Sequence, residues 1–136
     1  MPRMTGQTLI DSDVLIWLAR GHPGAARHLS TIRPWRISII TYMELAQGCR
    51  NKTELGRLKK GLTARATEVH PLTPAISMYA AELIDSLALS HGLRLADALI
   101  AATALEQGLT LLSANVRHFE PVTGLDLEAF HPASVD

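Results

Sequence analysis

The sequence predicts an α/β fold: a central, mostly parallel sheet flanked by helices on both faces. Short apolar stretches alternate with longer stretches at helical spacing along the whole chain. Glycines close two of the helical stretches where a left-handed cap belongs, at Gly92 and Gly108. No internal repeat, low-complexity stretch or Pro/Gly/Ser-rich linker interrupts this order, so residues 1–136 read as one domain.

The elements follow in turn. Gln7 to Ile10 is a short strand ending at Asp11, and Val14 to Ala19 opens the first helix. Gly21, His22, Pro23 and Gly24 break the pattern, and Ala25 to Ile32 is a second short helix. Trp35 to Ile40, with β-branched Ile37, Ile39 and Ile40, predicts a buried strand. Thr41 to Cys49 is a helix, Glu54 to Ala66 a basic helix, and Glu68 to Leu72 a weaker strand. Pro74 suits the first turn of a helix running to about Ser90, with Ile76, Ala80, Leu83, Ile84 and Leu87 as its apolar stripe. Leu95 to Gln107 is the next helix. Leu109 to Leu112 is a strand, Asn115 to Phe119 a short helix or turn, and Leu125 to Leu127 a last edge strand.

Composition bounds the function. A hydrophobic fraction of 47% supplies a core without disulfides. Cys49 is the only cysteine, which excludes an intramolecular disulfide and a cysteine-rich zinc site; it reads as a small buried or half-buried residue. No apolar run reaches membrane-spanning length, and no long apolar segment precedes a small-residue cleavage site near the N-terminus. A cytoplasmic location is expected. Thirteen basic residues balance thirteen acidic ones, so total charge gives no hint of a polyanionic partner. The distribution does: Arg50, Lys52, Arg57, Lys59, Lys60 and Arg65 face the single acid Glu54, a local charge of +5. A solvated helix face is the alternative reading of that stretch.

In a parallel α/β sheet the ligand site lies beyond the carboxyl ends of the strands. Asp11 follows the first strand and Asp13 stands two residues on. Glu44 lies near the start of the helix after the second strand, and Asp97 in the first turn of its helix. Asn115 follows the last strong strand, two residues beyond Ser113. Carboxylates gathered in one crevice repel each other unless a cation neutralises them, and hard cations such as Mg²⁺ and Mn²⁺ want such oxygens. The cation lowers the pKa of bound water and neutralises charge on a phosphodiester under attack. Asp11, Asp97 and Glu44 are the expected metal ligands.

Each residue also has a structural reading. Asp11 or Asp13 can cap the first helix. Thr41 and Glu44 match a capping box, with Thr at N-cap and Glu at N3. Asp97 complements a helix dipole, Asn115 is a common turn or N-cap residue, and Ser113 a plain strand-end residue. His22 and His28 lie four apart, but Pro23-Gly24 falls between them and argues against a zinc site on one helix. His118 is the one histidine placed near the crevice. No glycine-rich phosphate loop follows a strand.

These residues resemble those of the PIN-domain ribonucleases, most closely the VapC-type toxins of bacterial toxin–antitoxin pairs. Four blocks carry the resemblance in order: Leu9 to Ile16, Ile39 to Gly48, Leu93 to Ala104, and Leu111 to Phe119. It implies a PIN fold and Mg²⁺- or Mn²⁺-dependent endonuclease activity on structured RNA such as tRNA or ribosomal RNA. It also implies a cognate antitoxin, a homodimer and a toxin–antitoxin hetero-oligomer. Asp11, Glu44 and Asp97 match the three core acids. Asn115 stands where many relatives have a fourth Asp, Ser113 matches a supporting hydroxyl, and Asp13 stands where Asn is commoner. The amide at Asn115 weakens a second metal position. RNA backbone is expected on Arg50, Lys52, Arg57, Lys59, Lys60, Arg94 and Arg117. Leu15, Trp17, Leu18 and the Tyr42-to-Leu45 face either form a groove for an antitoxin helix or pack in the core. A catalytically silent RNA- or protein-binding module and a metal-dependent DNA nuclease are the competing functional readings.

Overall fold

The computed structural model describes residues 7–132. Five strands, β1 (Thr8–Ile10), β2 (Arg36–Ser38), β3 (Glu68–His70), β4 (Thr110–Ser113) and β5 (Leu127–Ala129), form one sheet in the order β3-β2-β1-β4-β5. All four pairings are parallel, so the sheet is fully rather than mostly parallel among the described residues. The strand order changes direction between β1 and β4. That switch opens a crevice at the carboxyl ends of these two strands, where Asp11 and Ser113 lie.

Successive strand residues point to opposite faces, and each face buries its own core. Leu9 and Leu111 pack with α5 (Pro74–His91) and α6 (Leu95–Gln107). Ile10, Leu112 and Ile37 pack with α1 (Ser12–Ala19), α2 (Pro23–Ser30) and α4 (Lys52–Ala64). Ala98, Ala101, Ala102 and Ala104 of α6 are fully buried, and their small side chains let that helix sit close to its neighbours. The stripe expected on α5 packs as predicted: Ile76, Ala80 and Leu83 are buried, with Ile84 and Leu87 half-buried against them.

Both glycine caps are left-handed, with φ of 69° at Gly92 and 66° at Gly108. Only glycine takes that conformation without a Cβ penalty. Gly92→Ala meets open space on all sides, so strain alone acts, and it should destabilise the protein by about 1 kcal/mol in urea unfolding. An unchanged unfolding midpoint would show that the cap is not rigid.

Several boundaries differ from the sequence reading. β2 stops at Ser38, and the predicted strand residues Ile39 and Ile40 open α3 (Ile39–Gln47). The Ser38 hydroxyl decides this: it accepts the Ile40 amide at 3.0 Å and caps the helix. The Thr41–Glu44 capping box is therefore corrected, because Thr41 lies inside α3, buried, rather than at its N-cap. β3 ends at His70 rather than Leu72, and β5 spans Leu127–Ala129 rather than residues 125–127. α1 begins at Ser12, two residues early, because Asp11 caps it. α2 begins at Pro23, the residue expected to break the pattern, since proline is at home in a first helical turn. No helix among the described residues is long and apolar enough to cross a membrane.

Candidate metal centre

Asp11 ends β1 and is buried, 6% exposed. Its Oδ1 accepts the Ser12 amide at 2.8 Å and its Oδ2 accepts the Ser113 hydroxyl at 2.8 Å. Capping and site membership are thus not alternatives for this residue. Ser113 is the junction of the crevice. Its Oγ also accepts the Asn115 amide at 2.9 Å, and lies 3.5 Å from Asp13 Oδ2. Asp13 accepts the Ala114 amide at 3.2 Å, which ties α1 to the end of β4. A hydroxyl has one proton to donate, and the shorter contact gives it to Asp11.

Glu44 stands on α3, and its carboxylate accepts the Ser12 hydroxyl. The Ser12 and Thr41 hydroxyls lie 3.3 Å apart, so a buried polar link runs from α1 to α3. Ser12 was missed in the sequence reading; its signal was a hydroxyl set between two acids at a strand-to-helix turn. Asp97 lies in the first turn of α6, half-buried. The Arg94 backbone amide and charge both favour its ionised form, and His118 Nδ1 stands 3.8 Å from its Oδ2. Asn115 is exposed and precedes α7 (Val116–Phe119) without a side-chain capping bond.

The electrostatics identify which acids sense each other. Burial pushes the Asp11 carboxyl up to about 7, the Asp13 charge adds to this, and Asp97 contributes in the same direction. The Ser113 and Ser12 donors pull it back. Asp13 and Asp97 are both raised, chiefly by burial, and His118 offsets part of the effect at Asp97. Burial thus disfavours ionisation of all three carboxyls, and at Asp11 the charges of Asp13 and Asp97 add to it. Glu44 joins them through Ser12 rather than by direct contact.

Among the described residues, no three His, Cys, Asp or Glu side chains converge closely enough to enclose a metal ion. The donor chemistry nevertheless fits a hard divalent cation. The groups are all oxygen donors, and the buried Asp11 carboxylate lacks a neutralising partner among them.

The cations form two groups. Arg94, at the N-cap of α6, and Arg117, on α7, are exposed, and Arg94 acts on Asp97 through its charge. On α4, Lys52, Lys59 and Lys60 are exposed and make no ion pair among the described residues; Arg57 is exposed and acts on Glu54 through its charge. Arg50 is pinned to Glu54 at 2.7 Å, and Arg65 lies over the Trp35 ring, 4.9 Å from its centre. Leu15 is buried, while Trp17, Leu18, Tyr42 and Leu45 are half-buried against the core. Ile16 and Met43 are the exposed apolar residues of that face, at 39% and 54%.

A parallel sheet with the buried Asp11 and half-buried Asp13 and Asp97 carboxylates at its switch point defines an acidic-crevice α/β protein of the PIN class. Residues 8–124 match the PIN domain family model, and the chain belongs to that family. Within it the chain is a VapC-type ribonuclease: it is 38% identical over 117 residues to Ribonuclease VapC10 of Mycobacterium tuberculosis, covering 82% of this chain and 84% of that protein. Among solved structures it is similar to a toxin–antitoxin complex from Klebsiella pneumoniae, with 26% identity, a TM-score of 0.76, and 94% of this chain and 99% of the other covered. VapBC-1 from nontypeable Haemophilus influenzae is similar at 27% identity and a TM-score of 0.73, with coverage of 90% and 96%.

Proposed function

We propose that the protein is the toxin of a toxin–antitoxin pair, a Mg²⁺- or Mn²⁺-dependent endoribonuclease acting on structured RNA such as tRNA or ribosomal RNA. The observation that carries this reading is the buried Asp11 carboxylate, raised to about 7 beside two further carboxylates at the switch point of the sheet. Asp11, Asp97 and Glu44 would hold the cation, with Asn115 and Asp13 as supporting polar groups. A bound divalent cation supplies Lewis acidity and neutralises charge developing on the phosphodiester.

The chain's own residues do the rest. Ser113 fixes the Asp11 rotamer, Ser12 orients Glu44, and the Ala114 amide holds Asp13. Ser113→Ala leaves Asp11 Oδ2 without its donor and the Asn115 amide without its acceptor. Cleavage should fall roughly 10- to 100-fold in kcat/KM, as for other residues that orient metal ligands. A loss below twofold in single-turnover cleavage would remove Ser113 from the site.

Lys52, Arg57, Lys59 and Lys60 of α4, with Arg50, Arg94 and Arg117, receive the RNA backbone. Lys59→Gln with Lys60→Gln should weaken RNA binding and flatten its salt dependence by roughly 0.7 in log–log slope per lost phosphate contact. A slope equal to that of the wild type would place the RNA elsewhere.

The partner is a cognate antitoxin whose apolar helix covers Ile16 and Met43 on the α1–α3 face. The exposed α5 residues Met78 and Leu89 suit a homodimer, and hence a hetero-oligomer with antitoxin. A cytoplasmic location goes with this role. The deciding experiment is cleavage of total RNA by the purified protein with Mg²⁺, Mn²⁺ or EDTA, followed by sequencing of the new 5′ ends. Cleavage at discrete sites in one RNA, absent in EDTA, is expected. Cleavage that persists unchanged in EDTA, or that falls only on single-stranded DNA, would overturn the proposal.

A further inference from the structure

A second cavity lies outside the acidic crevice, between α2 and the end of β5. His22, Gly24, Arg27, His28, Phe130 and His131 line it, and its volume is about 370 Å³. Ligand-binding clefts begin at about this size.

Its walls are built rather than incidental. His22 Nδ1 accepts the Ala25 amide at 3.1 Å, which leaves the ring proton on Nε2, donated to the Pro132 carbonyl at 2.7 Å. Gly24 makes room for this ring, because a Cβ there would stand 2.8 Å from His22 Cε1. Phe130 is buried, and the His22 and His28 rings stand nearly perpendicular to it, at 81° and 89°. Glu128 holds His28 at 2.7 Å. Arg27 and His131 are exposed at the mouth. Arg27 is already engaged in the fold, but a guanidinium has five donors and one partner does not exhaust them.

This chemistry suits a planar aromatic ring carrying a negative charge. The half-buried His22 and His28 rings, backed by the buried Phe130, offer ring surface, and a guanidinium at the mouth favours an anion over an organic cation. A metal is unsuited, because His22 has committed both ring nitrogens.

The position links the cavity to the crevice. Ala129 pairs with Ser113, and the Phe130 amide donates to the Ser113 carbonyl at 2.8 Å. The hydroxyl of the same Ser113 bonds Asp11. Strands in a sheet are about 4.8 Å apart, so two spacings put the cavity roughly 10 Å from Asp11 along the carboxyl edge.

We propose that this cavity takes one unstacked nucleotide of the RNA substrate, its base against the His22 and His28 rings and its phosphate on Arg27 and His131. It thereby selects where the strand is cut. The proposal rests on the ribonuclease reading above, but its binding step is measured without cleavage.

The test is an NMR titration of the histidine imidazoles of the full chain, in EDTA, with each ribonucleoside 5′-monophosphate and with inorganic phosphate. Saturable shifts at His22, His28 and His131 are expected, stronger for one base than for the others and weak for phosphate. Arg27→Ala with His131→Ala should weaken nucleotide binding roughly tenfold and raise KM for RNA more than it lowers kcat. No imidazole shift with any nucleotide overturns the proposal even if the protein cleaves RNA. Equal shifts with phosphate alone also overturn it, since no base is then recognised. Nucleotide shifts in a protein that cleaves no RNA would sustain the pocket and overturn the ribonuclease reading instead.

Discussion

Asp97→Asn lowers RNA cleavage by roughly 10³-fold or more in kcat/KM while the protein stays folded and still binds RNA. On the proposed function, the size follows from removing one charged ligand of a cation worth several kcal/mol to the transition state. The fold tolerates the change because the Asp97 interactions are local. The Arg94 amide and charge favour the carboxylate in the first turn of α6, and an amide of the same size fills its place there. His118, 3.8 Å away and exposed, keeps its position without the partner. Circular dichroism and RNA gel shifts in EDTA check the two controls. Cleavage within tenfold of the wild type would remove Asp97 from the ligand set.

Without metal, the protein loses stability as pH rises, and Asp11→Asn removes most of that loss. Burial, then Asp13 and Asp97, hold the folded Asp11 carboxyl at about 7, against 3.8 ordinarily. Between these values the folded chain keeps a proton that the unfolded chain has released. Folding is therefore most favoured on the acid side, and this contribution is lost as pH rises through about 7. The whole effect is on the order of 4 kcal/mol. The raised carboxyls of Asp13 and Asp97 act in the same direction. In Asp11→Asn the amide oxygen keeps the Ser12 amide, and the new NH₂ donates to Ser113 Oγ, so packing survives. Urea unfolding from pH 5 to 8 in EDTA should show a falling wild-type curve and a flatter mutant curve that lies above it at pH 8. Mn²⁺ should restore the wild type and leave the mutant unchanged. Parallel curves for the two proteins would mean that Asp11 carries no such charge penalty.

The parts of the fold written in local chemistry were readable before the structure. α6 spans Leu95–Gln107 as read, and the end of α5 at Gly92 also followed, because left-handed glycine caps leave a sequence signal. The boundary of β2 did not follow. Ile39 and Ile40 are β-branched and read as strand, but the Ser38 cap and packing on the core set them in a helix, where tertiary context overrides propensity. That shift also removed the capping reading of Glu44. The sequence led to Asp11 and Asp97 because polar residues at strand and helix ends in an apolar context are conspicuous. It did not lead to Ser12, whose importance depends on α1 meeting α3 across residues 32 positions apart. Nor did the spacing of His22 and His28 reveal their cavity, which forms only when β5 brings Phe130 and His131 against α2.

The most direct test of the acidic crevice is a Mn²⁺ titration followed by electron paramagnetic resonance, with RNA cleavage measured on the same samples. Wild-type protein should bind Mn²⁺, and its cleavage should rise in proportion to the bound ion. Asp11→Asn and Asp97→Asn should lose both together. Undiminished Mn²⁺ binding by these variants, or wild-type cleavage that is independent of bound Mn²⁺, would contradict the assignment.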